Sequence, residues 1–271
     1  MLHNSYFLRQ IEVANCRWTM EADTISKNGA SLKSKVNFLY VVCFVLVTII
    51  SGCGKDNDEK VKLVKTVSGV HETLSFEYDS QNRITKIIND NRENMYTTFT
   101  YSGFDLVKVT LFWPSGYYGI YENNIVRNGN TITVNYRVGS STITVNNNGY
   151  PTNFEETGRD WSVEYDQNCN LINATIRDIY YDEEWVSKFI YGNEKSPFYH
   201  CKTPKWWTIV YDVGFEIYFI QKNNVTEIIG WDGNDITLKF KYEFDSDGYP
   251  TKIEKENSEE NSGITFTYMT K

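Results

Sequence analysis

Residues 76–87 read FEYDSQNRITKI, and this segment alternates apolar and polar side chains on both sides of a short polar stretch. The side chain of Asp79 can accept hydrogen bonds from the backbone of the turn that follows it. Asn82 tolerates the positive φ that such a turn requires. The chain then returns through Ile84 and Ile87. The segment therefore predicts a β-hairpin.

The same pattern recurs along the chain. Residues 163–171 and 242–253 repeat it with Asp, residues 143–151 repeat it with Asn in place of Asp, and residues 99–106 form a shortened copy. Successive copies lie about 20 residues apart, which is the length of two strands and two turns. A repeating hairpin is therefore the predicted unit of the fold.

The strands alternate with a period of two. Between 238 and 244, Leu238 and Phe240 fall on one face, while Lys239 and Lys241 fall on the other. This alternation is typical of antiparallel sheets with one face in water. We predict an all-β fold, a large antiparallel meander of hairpin repeats. So large a sheet cannot stay flat, so it curls and is either open or closed as a barrel.

Two later segments are less regular. Residues 182–195 allow either a strand or a helical turn. Residues 194–204, EKSPFYHCKTP, are the strongest interruption of the pattern. We interpret them as a loop inside one domain that spans residues 61–271.

An export leader precedes this domain. Fifteen almost entirely apolar residues, 36–50, follow Lys33 and Lys35. They are too short to span a bilayer but suit the apolar region of a signal peptide. The next residues, Ser51-Gly52-Cys53, resemble a bacterial lipobox, in which the cysteine is lipidated and becomes the N-terminus. We assign residues 1–52 to the leader. Residues 1–32 are long and partly acidic for a leader, which favours a start further downstream.

The residues after Cys53 form an acidic tether, 53–60, with the sequence CGKDNDEK. A lysine among acids directly after a lipidated cysteine resembles the surface-export signal of Bacteroidota lipoproteins. The expected location is therefore the outer membrane, with the domain anchored through lipid on Cys53 and facing the cell surface.

The hairpins themselves resemble a known repeat. Their Tyr-Asp-x-x-Asn/Gly turns look like the YD repeats of Rhs-type proteins. They are more similar still to a family of uncharacterised Bacteroidota lipoproteins built of such hairpins. The segment at 191–198, YGNEKSPF, is also similar to one in that family. The resemblance implies a porin-like antiparallel fold and an envelope location, and it implies no catalytic residues.

The chemistry-bearing residues are sparse. The chain has a formal net charge of −8, so it would repel nucleic acid. Downstream of Cys53 the remaining cysteines are Cys169 and Cys201, which allow either one disulfide or two thiols. They lack the spacing of a four-ligand metal site. We expect no metal and no cofactor.

No catalytic motif is present around the few histidines, which argues against an enzyme. Paired carboxylates could still support glycan hydrolysis. The candidates are the acids that lie near tryptophans, Asp160, Asp182 and Asp232. Turn capping and solvation explain the same acids equally simply.

Tryptophans give the best hint of a binding surface. Trp206 and Trp207 are adjacent, so on a strand they would face opposite ways, and one would be exposed. Together with Trp185 they are the predicted contact residues, because flat rings stack on sugars. The competing interpretation places them in the core.

These observations predict a non-enzymatic envelope lipoprotein that binds a glycan or an envelope protein, or that scaffolds a complex. Two alternatives remain open. The curled sheet could carry a lipid or another apolar ligand in the periplasm, or the domain could hydrolyse glycans.

Overall fold

A computed structural model of the chain describes residues 61–69, 72–113, 119–156, 158–210, 220–230, 236–256 and 263–271. The predicted leader, Cys53 and the tether lie outside these ranges. Within them, sixteen strands and one short helix alternate with turns. The strands are β1 (Lys62–Ser68), β2 (Thr73–Tyr78), β3 (Ile84–Asn89), β4 (Tyr96–Ser102), β5 (Asp105–Trp113), β6 (Gly119–Asn128), β7 (Thr131–Asn135), β8 (Ser140–Val145), β9 (Pro151–Glu156), β10 (Arg159–Tyr165), β11 (Leu171–Asp178), β12 (Glu183–Lys195), β13 (Asn223–Ile229), β14 (Thr237–Phe244), β15 (Pro250–Lys255) and β16 (Ile264–Thr270). The helix, α1, is Trp207–Val210.

The strands form a closed antiparallel barrel in which each strand pairs with its neighbours in the sequence. The barrel closes where β1 pairs with β16, with Lys62 opposite Thr270 and Val67 opposite Phe266. The predicted all-β meander is therefore confirmed, and of the two predicted sheet forms the closed barrel is the one adopted. Residues 182–195 are not helical, because β12 extends through them and pairs with both β11 and β13.

Four hairpin turns share one hydrogen-bond pattern, and each begins with Asp79, Asn146, Asp166 or Asp245. In the first turn, Asp79 Oδ1 accepts hydrogen bonds from the backbone N–H of Gln81 (2.9 Å) and of Arg83 (3.0 Å). Asn146, Asp166 and Asp245 each accept the two equivalent bonds. The repeat in the sequence is thus a repeat of turn chemistry.

The fourth residue of each of these turns has a positive φ. Asn82, Gly149 and Gly248 meet this requirement in the expected way, since asparagine and glycine tolerate this conformation. Cys169 occupies the same position in the third turn with φ 63°. Cysteine has no preference for positive φ, so the sequence alone did not indicate that Cys169 takes this turn position.

The interior of the barrel is apolar, and the outer wall carries charged side chains together with a few exposed apolar ones such as Val186 and Ile190. Side chains from all sixteen strands join one buried hydrophobic cluster. In β14, Leu238 points inward and is buried, whereas Lys239 and Lys241 are exposed on the outside. Ion pairs link neighbouring strands along that wall, for example Lys108 with Glu122 at 2.9 Å. This is the reverse of the arrangement in a membrane-spanning barrel.

Because the strands are antiparallel, the four shared turns lie at the same end of the barrel. The connection from β12 to β13 starts and finishes at this end as well. Its described parts, residues 196–210 and 220–222, are called the plug here, and the end that holds them is called the plug end.

None of the helices in the described ranges has the length and the apolar character needed to cross a bilayer.

The plug enters the barrel and packs against its inner wall. Phe198 contacts Phe76 edge to face, with ring centroids 5.4 Å apart, and Trp207 contacts Phe99 at 5.9 Å. The hydroxyl of Thr203 accepts a buried hydrogen bond of 2.7 Å from the backbone N–H of Ile84. The predicted interruption at residues 194–204 is therefore a connection that fills the mouth of the barrel.

Candidate functional site

A cleft of about 530 Å³ lies at the plug end, between the plug and the turns of the barrel. It is called the cationic cleft here. The described residues that line it are Arg127, Asn148, Gly149, Tyr150, Tyr199, His200, Cys201, Lys202, Thr203, Pro204, Lys205, Trp206 and Lys222.

The lining of this cleft has an unusual charge for this chain. It contains four cationic side chains, Arg127, Lys202, Lys205 and Lys222, and no carboxylate among the described residues around it. The whole chain, by contrast, has more acids than bases. A local excess of positive charge in an acidic protein attracts anions that the rest of the surface repels.

The four cationic side chains differ in whether they already form an ion pair or a hydrogen bond with the protein. Arg127 forms an ion pair with Asp105 at 3.1 Å, and Lys205 Nζ donates a hydrogen bond to the carbonyl oxygen of Ile220. Lys202 and Lys222 are exposed, and neither forms an ion pair with any residue in the described ranges. These two amines are therefore the groups best placed to meet an anion.

A second cleft of about 580 Å³ adjoins the first and is called the amide cleft here. Its described lining is Asp166, Asn168, Asn170, Ile172, Phe189, Ile190, Tyr191, Gly192, Asn193, Lys195, Tyr199, Lys222 and Asn223. Tyr199 and Lys222 line both clefts, so the two clefts are neighbours that share part of their walls. The two clefts together are called the groove here.

Reciprocal hydrogen bonds fix the wall of the amide cleft. Asn170 Nδ2 donates to Asn223 Oδ1, and the backbone N–H of Asn223 donates to Asn170 Oδ1, both at 3.0 Å. The carboxylate of Asp166 is occupied by the turn, where it accepts bonds from Asn168 N–H and Asn170 N–H. The cleft thus has rigid amide and aromatic walls before any ligand arrives.

The predicted exposure of one tryptophan of the adjacent pair is wrong, and the competing interpretation, which places both in the core, is confirmed. Trp206 is 4% exposed and Trp207 is 1% exposed. The prediction assumed that the pair lies on a strand, but Trp206 lies in a turn and Trp207 begins α1 inside the barrel mouth. Trp206 still forms part of the wall of the cationic cleft. Trp185 points inward from β12 and packs against the core.

The cysteines show no catalytic arrangement. Cys169 lies in its turn and Cys201 is buried in the plug, with no disulfide between them in this structure. Burial raises the pKa of the Cys201 thiol, although Lys205 and Thr203 oppose this effect. A thiol with a raised pKa stays protonated and is a poor nucleophile.

The candidate carboxylates are not brought together in a cleft. Asp160 is exposed on the outer wall beside the buried Trp161, and Asp182 forms an ion pair with Arg177 in the β11–β12 turn. Asp232 lies outside the described residues. No group of three or more metal-ligating side chains occurs in the described part of the chain.

The plug was visible in the sequence only as an interruption. Two of its lysines could have been recognised, because Lys202 and Lys205 follow Lys195, the last residue of β12, within ten residues in an acidic chain. Lys222 comes from the far side of the connection and Arg127 from β6, and no local pattern joins them to the others. Only the folded barrel brings these five cations to one end.

Comparison with known proteins yields only distant similarities. No family model matches the chain, and no curated protein matches it. Among solved structures, a porin-like protein from Bacteroides uniformis is similar, with a TM-score of 0.36 and 15% identity over 79% of this chain and 97% of that one. A porin-like protein from Bacteroides vulgatus gives 0.40 and 12% over 77% and 99%. At such low values, neither similarity carries a function over to this chain.

Proposed function

We propose that this protein is a non-enzymatic binding module of the bacterial cell envelope and that it binds an acidic glycan at the plug end. The observation that carries the proposal is the pair of neighbouring clefts, one cationic and one lined by amides, that share Tyr199 and Lys222. A glycan is the ligand class that uses both walls at once.

Each wall matches one part of such a ligand. Lysine and arginine side chains form charge-assisted hydrogen bonds with carboxylate, sulfate or phosphate groups. Asparagine amides both donate and accept hydrogen bonds, as sugar hydroxyl groups require, and tyrosine rings pack on the apolar faces of sugars. Each cleft lies within the range of about 300–1,000 Å³ that is usual for small-ligand sites.

The envelope location rests on the sequence. The apolar leader, the lipobox-like Ser51-Gly52-Cys53 and the lysine and acids after it favour a lipid anchor on the outer membrane, with the barrel at the cell surface. The resemblance to YD-repeat lipoproteins of Bacteroidota favours the same location. The charged outer wall of the barrel fits a domain that stands outside the bilayer, because Lys or Arg facing lipid at the midplane costs roughly 2–4 kcal/mol.

The two alternative functions have less support. A lipid carrier needs an apolar cavity, but the inward side chains form a packed cluster that includes Phe198 and Trp207 of the plug. A glycan hydrolase needs two carboxylates facing one substrate. Asp160 and Asp182 lie on the outer wall and in a turn instead.

Affinity electrophoresis tests the proposal. The purified protein is run through gels that contain polygalacturonate, dextran sulfate or phosphomannan, and its mobility is compared with that in a plain gel. We expect retardation in at least one acidic gel. Lys222→Ala should lower the apparent affinity for that glycan at least tenfold, because this amine lines both clefts.

Lys241→Ala is the matched control. It removes the same charge from an exposed lysine on the outer wall that lines neither cleft, and it should keep the retardation. Equal losses in the two variants would mean that binding reflects net charge alone. Either that result or free migration of the wild-type protein in all three gels would reject the proposed site.

A further inference from the structure

The end of the barrel opposite the plug carries two exposed tyrosine rings. They belong to the β11–β12 turn, residues 179–182, where Tyr180 is 73% exposed and Tyr181 is 76% exposed. Large aromatic side chains are seldom left in water to this degree, because each ring that becomes buried contributes substantially to stability. Two adjacent exposed rings on one turn therefore call for a physical explanation.

The backbone of this turn is held rigidly. The buried carboxylate of Asp178 accepts hydrogen bonds from the backbone N–H groups of Tyr180 (3.0 Å) and Tyr181 (3.2 Å). Its second oxygen accepts a bond of 3.2 Å from Arg159 Nε. The backbone N–H of Ile179 donates to the carbonyl oxygen of Gly158 on the neighbouring turn. The rings thus stand on a base that is already ordered before any ligand arrives.

Gly158 fixes where the Tyr180 ring lies. Its φ of +89° favours glycine, and a Cβ atom at this position would lie 1.9 Å from Cε2 of Tyr180. The ring therefore packs directly on the bare backbone of Gly158. Such an arrangement supports one side of the ring with protein and leaves the remainder open to solvent.

The size of this surface favours a sugar over a protein. Two tyrosine side chains present roughly 300–500 Å² at most. A stable protein–protein interface buries about 800 Å² on each partner. Two rings match instead the faces of one or two pyranose units. Beside them the exposed ion pair of Arg177 with Asp182, at 3.1 Å, offers hydrogen-bond donors and acceptors for hydroxyl groups.

We propose that Tyr180 and Tyr181 form a second binding surface, which stacks against the sugar rings of a neutral glycan chain. The proposal does not rest on the groove at the plug end. The two surfaces lie at opposite ends of the barrel and differ in chemistry, since the two arginines beside the rings, Arg159 and Arg177, each form an ion pair with an aspartate. A protein with both surfaces could hold two glycan segments at the same time.

The test uses the purified protein in gels that contain mannan, xyloglucan or soluble starch. We expect the wild-type protein to be retarded in at least one neutral gel. The double variant Tyr180→Ala/Tyr181→Ala should lose at least tenfold in apparent affinity, equivalent to about 1.4 kcal/mol. Tyr180→Phe/Tyr181→Phe keeps both rings and should retain most of the binding.

Two controls make the result specific. Phe104→Ala removes an aromatic side chain that is 84% exposed at the plug end, and it should bind like the wild type. The double variant Tyr180→Ala/Tyr181→Ala should keep its retardation in the acidic gels, because neither tyrosine lines the clefts at the plug end, so failure at one end is distinguishable from failure at the other.

Three outcomes would overturn this proposal. The first is the absence of retardation of the wild-type protein in all three neutral gels. The second is equal binding by the wild type and the double alanine variant. The third is a concentration-dependent dimer in sedimentation that the double alanine variant abolishes, because the rings would then serve contact between two copies of the chain.

Discussion

At the scale of single residues, the repeated turn explains both the regularity of the barrel and its expected response to acid. Burial by itself raises the pKa of the Asp79 carboxyl. The hydrogen bonds from Arg83 and from Gln81 N–H outweigh this effect, so the pKa lies below its usual value. Asp245 behaves in the same way, with Lys62 as its cationic partner. In both turns, folding therefore favours the ionised carboxylate.

The sign of the pH dependence follows from this direction. A carboxyl group whose pKa is lower in the folded state stabilises the protein fully above its unfolded pKa of about 4. That contribution is lost as the pH falls through the folded pKa. We expect Asp79→Asn to weaken the decline in stability of the wild type below about pH 4, as measured by urea midpoints at a series of pH values. Asn146 shows that an amide can form the same turn.

Asp245→Asn serves as the companion variant, because it removes the equivalent carboxylate at the plug end of another hairpin. Each single variant should remove part of the acid sensitivity, and the double variant should remove more. If Asp79→Asn followed the wild-type pH profile, the turn carboxylate would not be a source of acid sensitivity.

At the scale of elements, the plug links the interior of the barrel to its candidate site. Trp207 of α1 is buried between Phe99 of β4 and Phe198 of the plug. The backbone that leads into it carries Lys202 and Lys205, which line the cationic cleft. Packing inside the mouth and the chemistry outside it therefore depend on the same segment.

Trp207→Ala should lower the free energy of unfolding by about 3–5 kcal/mol, because it removes a fully buried aromatic ring and leaves a cavity. Urea denaturation followed by circular dichroism measures the change. Phe104→Ala, at a highly exposed position, should change it by less than about 0.5 kcal/mol. A loss below about 1 kcal/mol in Trp207→Ala would show that the plug is only loosely attached to the barrel.

The elements differ in how well the sequence predicts them. Hairpins such as Phe76 to Ile87 are local, so their alternation and turn residues contain nearly all the information needed. The plug is not local, because Thr203 bonds with Ile84 and Lys202 N–H bonds with the carbonyl oxygen of Asn82, more than one hundred residues away. For this reason the sequence left Trp206 and Trp207 open between a binding surface and the core: their burial depends on a barrel mouth that distant hairpins build.

The two proposed binding surfaces also differ in how local their residues are in the sequence. The turn that carries Tyr180 and Tyr181 is a single local feature, yet its sequence reads as an ordinary end of a hairpin. The role of Gly158 in supporting the Tyr180 ring requires two neighbouring turns of the barrel. The sequence therefore predicted a binding surface only in general terms, and the residues that we propose for it come from the folded chain.

At the scale of the whole molecule, the distribution of polarity is informative. The apolar cluster lies inside and the ion pairs lie on the outer wall, so the barrel does not need lipid to satisfy its surface. The proposed envelope location would then depend on an anchor, and we expect that anchor to be lipid on Cys53. This expectation concerns residues outside the described ranges and rests on the leader sequence.

Labelling cells with radioactive palmitate tests the anchor. The wild-type protein should incorporate label and remain with membranes after lysis, whereas Cys53→Ala should lose both properties because the acylated sulfur is gone. Cys43→Ala lies in the apolar leader upstream of the lipobox and should behave like the wild type. Persistent labelling of Cys53→Ala would reject the lipoprotein assignment.

The barrel can close only after the last strand has been made, because β1 pairs with β16. Thr66 and Thr267, whose hydroxyls share a hydrogen bond across this seam, are 201 residues apart. At about 5–20 residues per second, synthesis needs roughly 10–40 s to supply the partner of the first strand. Until then β1 and the newest strand present bare edges to any neighbouring chain. The seven residues of β16 therefore close the barrel, and a chain that lacks them would expose two unpaired strand edges that can pair with other chains.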